Sequence, residues 1–130
     1  MKTYLVTGAA GFIGANFLKY ILKKYEGKED IKVVVVDALT YAGNLGTIKE
    51  ELKDERVKFE KVDIRDRKEI ERVFSENDVD FVVNFAAESH VDRSIENPQI
   101  FLETNILGTQ NLLENAKKAW TVSKDENGYP

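Results

Sequence analysis

An α/β fold with a doubly wound parallel sheet, cut to about four strands and four helical segments, is predicted by this sequence on three observations. Short β-branched runs alternate with longer segments of helical period. Glycines recur at every third position, Gly8, Gly11 and Gly14, directly after the first of those runs. An acid, Asp37, closes the second run 23 residues after Gly14. Strands alternating with helices in this order form right-handed βαβ units.

The first strand is expected over Thr3 to Thr7 and the second over Lys32 to Asp37, where Val33 to Val36 run uninterrupted as in strands buried on both faces. The third spans Val57 to Val62 and the fourth Phe81 to Phe85. Ile13, Phe17, Ile21, Leu22 and Tyr25 recur at spacings of three and four and predict a helix from Gly11 to Tyr25, stopped by Gly27. Weaker helical patterns cover Leu45 to Leu52 and Arg67 to Phe74. The last helix begins with Asn97 as N-cap and Pro98 at the first turn. It continues with Phe101, Leu102, Asn105, Leu112, Leu113 and Ala116 and ends with Lys117 and Lys118 at its negative pole. Residues 1–120 are expected to form one domain, and 121–130, almost without apolar content, read as loop or linker.

Composition narrows the function. The 130 residues make one domain, and 42% hydrophobic with 32% charged residues is a folded composition. A net charge of −4 offers no general attraction to nucleic acid or anionic membrane. With no cysteine and a single histidine, His90, neither a thiol nucleophile nor a metal centre is expected. The N-terminus lacks the apolar run and cleavage pattern of a secretory signal, and no run reaches the roughly 20 apolar residues of a membrane span, so a cytoplasmic protein is expected.

Chemistry concentrates after the strands. Glycines at a strand-to-helix turn let the backbone approach a pyrophosphate, whose charge then meets the unpaired N–H groups of the helix start. The alternative is a turn that only packs tightly. Context favours the Rossmann dinucleotide site. A carboxylate at Asp37 accepts from a ribose 2′-hydroxyl and repels a 2′-phosphate, and Ala38 follows rather than a basic residue, which selects NAD over NADP. The competing reading is a solvated strand-end acid. Asp63 and Ile64, beside the expected adenine cleft, suit an acceptor for the exocyclic amine and an apolar cover for the ring, although the pair alone is a weak signal. Arg65 and Arg67 read as a solvated charged loop rather than a phosphate clamp. Small Ala86 and Ala87 leave room for a nicotinamide ribose. Ser89, His90 and Asp92 sit too close in one loop to converge as a hydrolase triad. Tyr20 and Lys24 have the Tyr-x-x-x-Lys spacing of a nicotinamide-enzyme acid/base pair but lie about 14 Å along the helix from its cofactor end, a coincidence.

The runs Val6 to Gly14, Asp37 to Asn44, Ala86 to Ile95 and Glu103 to Thr109 resemble the N-terminal part of the extended short-chain dehydrogenase/reductases, and within them the dTDP-glucose 4,6-dehydratase family. The resemblance extends over residues 1–120. It implies NAD as cofactor, with Phe12 and Ile13 at the pyrophosphate, Asp37, Ala38, Leu39 and Thr40 around the adenosine ribose, and Asp63 and Ile64 at adenine. Phe85, Ala86, Ala87, Glu88 and Ser89 would line the nicotinamide half and Thr104 would reach the cofactor. Ser89 would also touch the sugar nucleotide, dTDP-glucose. The implied reaction oxidises the glucose C4, eliminates water across C5 and C6 and returns hydride to C6, a lyase reaction overall. It also implies a homodimer for the full-length relatives.

No residue here matches the Thr-Asp-Glu cluster or the Tyr-x-x-x-Lys pair of that family, so the chain looks truncated, with no catalytic residue and no activity alone. With strand order 3-2-1-4, strand four would then be an uncovered edge, and a marginally stable or self-associating fragment is expected. A sugar-nucleotide 4-epimerase and a non-catalytic NAD-binding module are the alternatives.

Overall fold

The computed structural model describes residues 1–28, 30–38, 45–85, 99 and 103–121. Four parallel strands form one sheet: β1 (Lys2–Thr7), β2 (Ile31–Val36), β3 (Val57–Glu60) and β4 (Phe81–Asn84), in the spatial order β3-β2-β1-β4. Among the described residues, α-helices connect or follow them: α1 (Phe12–Lys24), α2 (Arg67–Glu76) and α3 (Thr109–Trp120). The expected Rossmann-type order is therefore present, with the direction of winding reversing between β1 and β4.

The valine run of β2 shows why both faces are covered. Alternate side chains leave a strand on opposite faces. Val33 and Val35 join Val6 under Leu18, Ile21 and Leu22 of α1. Val34 and Val36 join Leu5 under Ile70 and Val73 of α2 and Leu112 and Ala116 of α3. Ile70 is fully buried in this second cluster. Ile70→Ala is expected to lower the unfolding free energy by about 2–5 kcal/mol, because the vacated volume cannot collapse between sheet and helix. Urea denaturation measures it; a change below about 0.5 kcal/mol, typical of surface sites, would contradict this packing.

Several boundaries move. β2 stops before Asp37, β3 stops at Glu60 rather than Val62, and β4 stops before Phe85, although backbone bonds between neighbouring strands run slightly further: Asp37 N–H donates to the Glu60 carbonyl at 3.2 Å, Val62 N–H to the Asp37 carbonyl at 3.2 Å, and Phe85 N–H to the Thr7 carbonyl at 3.0 Å. Residues Leu45–Ile48 and Glu51–Lys53 are two 3₁₀ turns, not one α-helix. The buried side of α1 is Gly14, Ala15, Leu18, Ile21 and Leu22, so Ile13, expected on the core stripe, points to solvent. Past α1 the backbone turns left-handed at Gly27, φ 67°. In α3, Leu112, Asn115 and Ala116 are buried, whereas Leu113 is exposed. The Trp120 indole N–H donates to the Val79 carbonyl at 2.6 Å and ties the end of α3 to the approach of β4.

The start of the last helix differs in kind. Glu103–Gly108 wind as a π-helix before α3 takes over. Asn97, Pro98, Phe101 and Leu102 lie outside the described residues, as does 122–130. Among the described residues β4 is an edge strand, and its Phe81 is 43% exposed while stacking on Tyr4 at 4.8 Å between ring centroids. No helix among the described residues is long and apolar enough to cross a membrane.

Candidate functional site

The C-terminal ends of β1, β2, β3 and β4 carry the loops that matter. After β1 the chain turns through Gly8, whose φ is 71°, a left-handed value that glycine adopts without strain. Gly8 N–H donates to the Val36 carbonyl at 2.9 Å and Gly11 N–H returns to the Gly8 carbonyl at 3.1 Å, closing the turn. Gly14 sits on the first turn of α1 so close to it that a Cβ there would stand 2.2 Å from the Gly8 oxygen and 2.8 Å from the Ala9 Cα. At Gly11 a Cβ would meet the Gly8 oxygen at 3.4 Å, an ordinary contact. The third glycine therefore serves helix-to-strand packing and the first serves the turn, a division of labour known from dinucleotide loops.

The resulting surface accepts anions. Gly11 caps α1 with extended backbone and no side-chain acceptor, and the first turn holds no acid, so the helix begins with its N–H groups turned toward the loop. Phe12 and Ile13 are 82% and 66% exposed. Large apolar side chains left in water at the mouth of a polar loop fit residues that lie against a ligand. A cradle that a single Cβ would fill, with bare amides above it, fits a pyrophosphate.

Asp37 is buried at the end of β2 and its Oδ2 accepts the Ala10 N–H at 3.0 Å. The acid thus anchors the glycine turn as well as standing beside it, a second role its position in the sequence did not disclose. Ala38 is half-buried next to it, while Leu39 and Thr40 lie outside the described residues.

Asp63 lies three residues beyond β3, and Arg65 folds back onto it. The Arg65 backbone N–H donates to Asp63 Oδ1 at 2.9 Å and its guanidinium reaches Oδ2 at 2.6 Å. Arg65 is therefore an ion-pair partner of the predicted base acceptor rather than a solvated charge. The Asp63 side chain keeps 31% of its surface exposed, enough for a further donor to reach it. Burial pushes its carboxyl upward, but the Arg65 hydrogen bonds outweigh this and hold it below the ordinary value. Ile64 is buried beneath, in the core shared with α2 and α3. Arg67 stays on the surface, 3.8 Å from Glu114.

Two more carboxyls are held low: Asp54 by the Arg56 side chain, and Glu60 by Arg72, which also pairs with Glu69 and Glu76. A group whose folded value is lowered gives up stability as pH falls from the unfolded value through the folded one. The contribution of Asp54, Glu60 and Asp63 is complete above about pH 5 and lost progressively below about pH 4. Thermal melts are expected to be flat from pH 7 to about 5 and to fall below it, with a shallower fall in Glu60→Gln/Asp63→Asn. An equally steep fall in that variant would contradict the assignment.

At the winding reversal the Thr7 hydroxyl, buried, donates to Asn84 Oδ1; Asn84 Nδ2 lies 3.4 Å from Thr109 Oγ1, which in turn donates to the Asn105 carbonyl at 2.9 Å. These contacts link the strand below the glycine turn to the π-helical segment, and no spacing in the sequence signals them. Phe85 leaves β4 with its ring 5.4 Å from that of Phe17. Thr104 belongs to the π-helical turn, and Ala86, Ala87, Glu88, Ser89, His90 and Asp92 lie outside the described residues. Tyr20 is exposed partway along α1 with the Lys24 ammonium 6.0 Å from its ring centre, which fits a surface pair.

Sheet order, glycine turn and strand-end acid together define a Rossmann-type dinucleotide-binding fold. The chain belongs to the family described as GDP-mannose 4,6 dehydratase, whose model matches residues 5–126. A curated dTDP-glucose 4,6-dehydratase from Neisseria meningitidis is 49% identical over 126 residues, 97% of this chain and 34% of that protein. The crystal structure of DesIV, a dTDP-glucose 4,6-dehydratase from Streptomyces venezuelae with NAD bound, superposes with a TM-score of 0.81 at 46% identity, covering 90% of this chain and 36% of that one. A UDP-glucose 4-epimerase from Thermus thermophilus, solved with NAD, gives a TM-score of 0.76 at 34% identity over 90% of this chain and 34% of the other. The chain spans about a third of the length of these relatives.

Proposed function

We propose that this chain is the NAD-binding portion of a dTDP-glucose 4,6-dehydratase, the enzyme that converts dTDP-glucose to the 4-keto-6-deoxy sugar nucleotide and water. The observation that carries the reading is the glycine turn, a cradle with no room for a Cβ at Gly14 beneath the bare amides that open α1. Gly8, Gly11, Phe12, Ile13 and Gly14 hold the pyrophosphate. Asp37, Ala38, Leu39 and Thr40 surround the adenosine ribose, and Asp63 and Ile64 take adenine. Phe85, Ala86, Ala87, Glu88, Ser89 and Thr104 serve the nicotinamide half, with Ser89 also facing the sugar nucleotide. When bound, NAD supplies the hydride acceptor for oxidation at the sugar C4. The chain's own part is to orient that acceptor and, through the Asp37 carboxylate, to refuse a 2′-phosphate.

Identity of 46–49% to dehydratases against 34% to the epimerase supports the dehydratase over the epimerase reading. Residues 1–120 act as the cofactor domain, in the cytoplasm, and exposed Ile106, Leu107 and Leu113 support pairing of two full-length copies. A positioned base is needed for the oxidation, and none of the site residues above supplies one. The 130 residues alone are expected to bind NAD without turnover, and a chimera joining residues 1–121 to the C-terminal two thirds of the Neisseria relative to form 4-keto-6-deoxy product from dTDP-glucose. A folded, NAD-loaded chimera that inverts C4 instead would favour the epimerase. Turnover by the chain alone would overturn the division between binding and chemistry.

A further inference from the structure

The loop that carries Asp63 and Ile64 is held from a direction the cofactor reading does not use. Beyond the end of β3, the carbonyls of Ile64 and Arg65 both accept from Asn111 Nδ2 on α3, each at 3.0 Å, across 47 and 46 residues of sequence. One amide group with two hydrogens thereby fixes two successive peptide units. A second contact acts on the same spot. Gly108, one turn earlier, is buried against Ile64 so closely that a Cβ there would lie 2.5 Å from both Ile64 Cδ1 and Cγ1. Asn111 is itself anchored, its own carbonyl accepting Asn115 Nδ2 at 2.8 Å. The face of the last helix thus holds the two peptide units that follow Asp63, including that of Arg65, whose backbone N–H and guanidinium grip the Asp63 carboxylate.

We propose that Asn111, with Gly108, is a positioning residue that fixes purine specificity at the adenine end of the site. The inference rests on the NAD reading above. A carboxylate accepts a hydrogen bond from an amine at purine C6 and repels a carbonyl there. That discrimination requires the carboxylate to be held in one place, since a loop free to turn would present solvent or Arg65 instead. Asn111→Leu keeps the side chain's size and removes both donors; Gly108→Ala pushes the same loop through Ile64.

The test compares calorimetric titrations with NAD and with nicotinamide hypoxanthine dinucleotide, in which a carbonyl replaces the adenine amine and N1 carries a hydrogen. The unsubstituted chain is expected to prefer NAD by about tenfold, the scale of one hydrogen bond to a charged group. In Asn111→Leu the preference is expected to drop to about twofold or less by loss of NAD affinity, with the hypoxanthine analogue bound much as before. Weaker binding of both dinucleotides with the preference retained is what a merely structural role produces, and it overturns the proposal. Should Asn111→Leu fail to fold, Gly108→Ala gives the same readout, and a retained preference there overturns it equally. NAD binding without any preference in the unsubstituted chain also overturns it while leaving the cofactor reading intact. No binding of either dinucleotide by the folded, unsubstituted chain removes both.

Discussion

Gly14→Ala is expected to destabilise the chain by about 1–3 kcal/mol or more and to abolish NAD binding. The new Cβ would lie 2.2 Å from the Gly8 carbonyl oxygen, and backbone stands on the other side of it as well, Ala9 Cα at 2.8 Å. Neither can swing away as a side chain would. The Gly8 carbonyl is held by Gly11 N–H and the Gly8 amide by the Val36 carbonyl, so α1 must move off β1 and take the pyrophosphate cradle with it. Gly11→Ala, whose Cβ meets the same oxygen at 3.4 Å, is expected to melt within a few degrees of the unsubstituted chain. Thermal melts of the two variants check this. A Gly14→Ala chain as stable as Gly11→Ala would mean that α1 does not start where it is described.

Asp37→Ala should cost both stability and affinity, and the two can be separated. The Ala10 N–H loses a buried acceptor, which costs about 1–3 kcal/mol. NAD binding should weaken by at least about tenfold, since the ribose hydroxyl loses a charged acceptor at the same time. Asp37→Asn keeps an oxygen for Ala10 while removing the charge. It is expected to retain most of the stability and to narrow the gap between NAD and NADP, because the repulsion of a 2′-phosphate is gone. Melting curves and paired titrations decide it. An Asp37→Asn chain with unchanged preference for NAD over NADP would assign the discrimination to another residue.

What could be read from residues alone follows the physics of each element. The valine run of β2, the helical period of α1 and the glycine spacing are local signals whose cause is local, and they led to the right sheet order and the right turn. The 3₁₀ turns at Leu45–Ile48 and Glu51–Lys53 have a helical pattern too short to choose between windings, so packing decides. The π-helical start at Glu103–Gly108 has no pattern of its own; it coincides with Gly108 being pressed against Ile64, a contact 44 residues away in sequence. The Asp63–Arg65 fork was legible in principle, since an acid two residues before an arginine can fold onto it, but the same spacing fits a solvated loop equally well. Asn111, Asn84 and the second role of Asp37 depend on long-range contacts that no spacing encodes.

The most direct test of the central claim is a calorimetric titration of the 130-residue chain with NAD and, separately, NADP. Saturable one-to-one binding of NAD, with NADP at least about tenfold weaker, is predicted from the glycine cradle and the Asp37 carboxylate. A folded chain that binds neither, or that prefers NADP, would contradict the claim that these elements form a working NAD site.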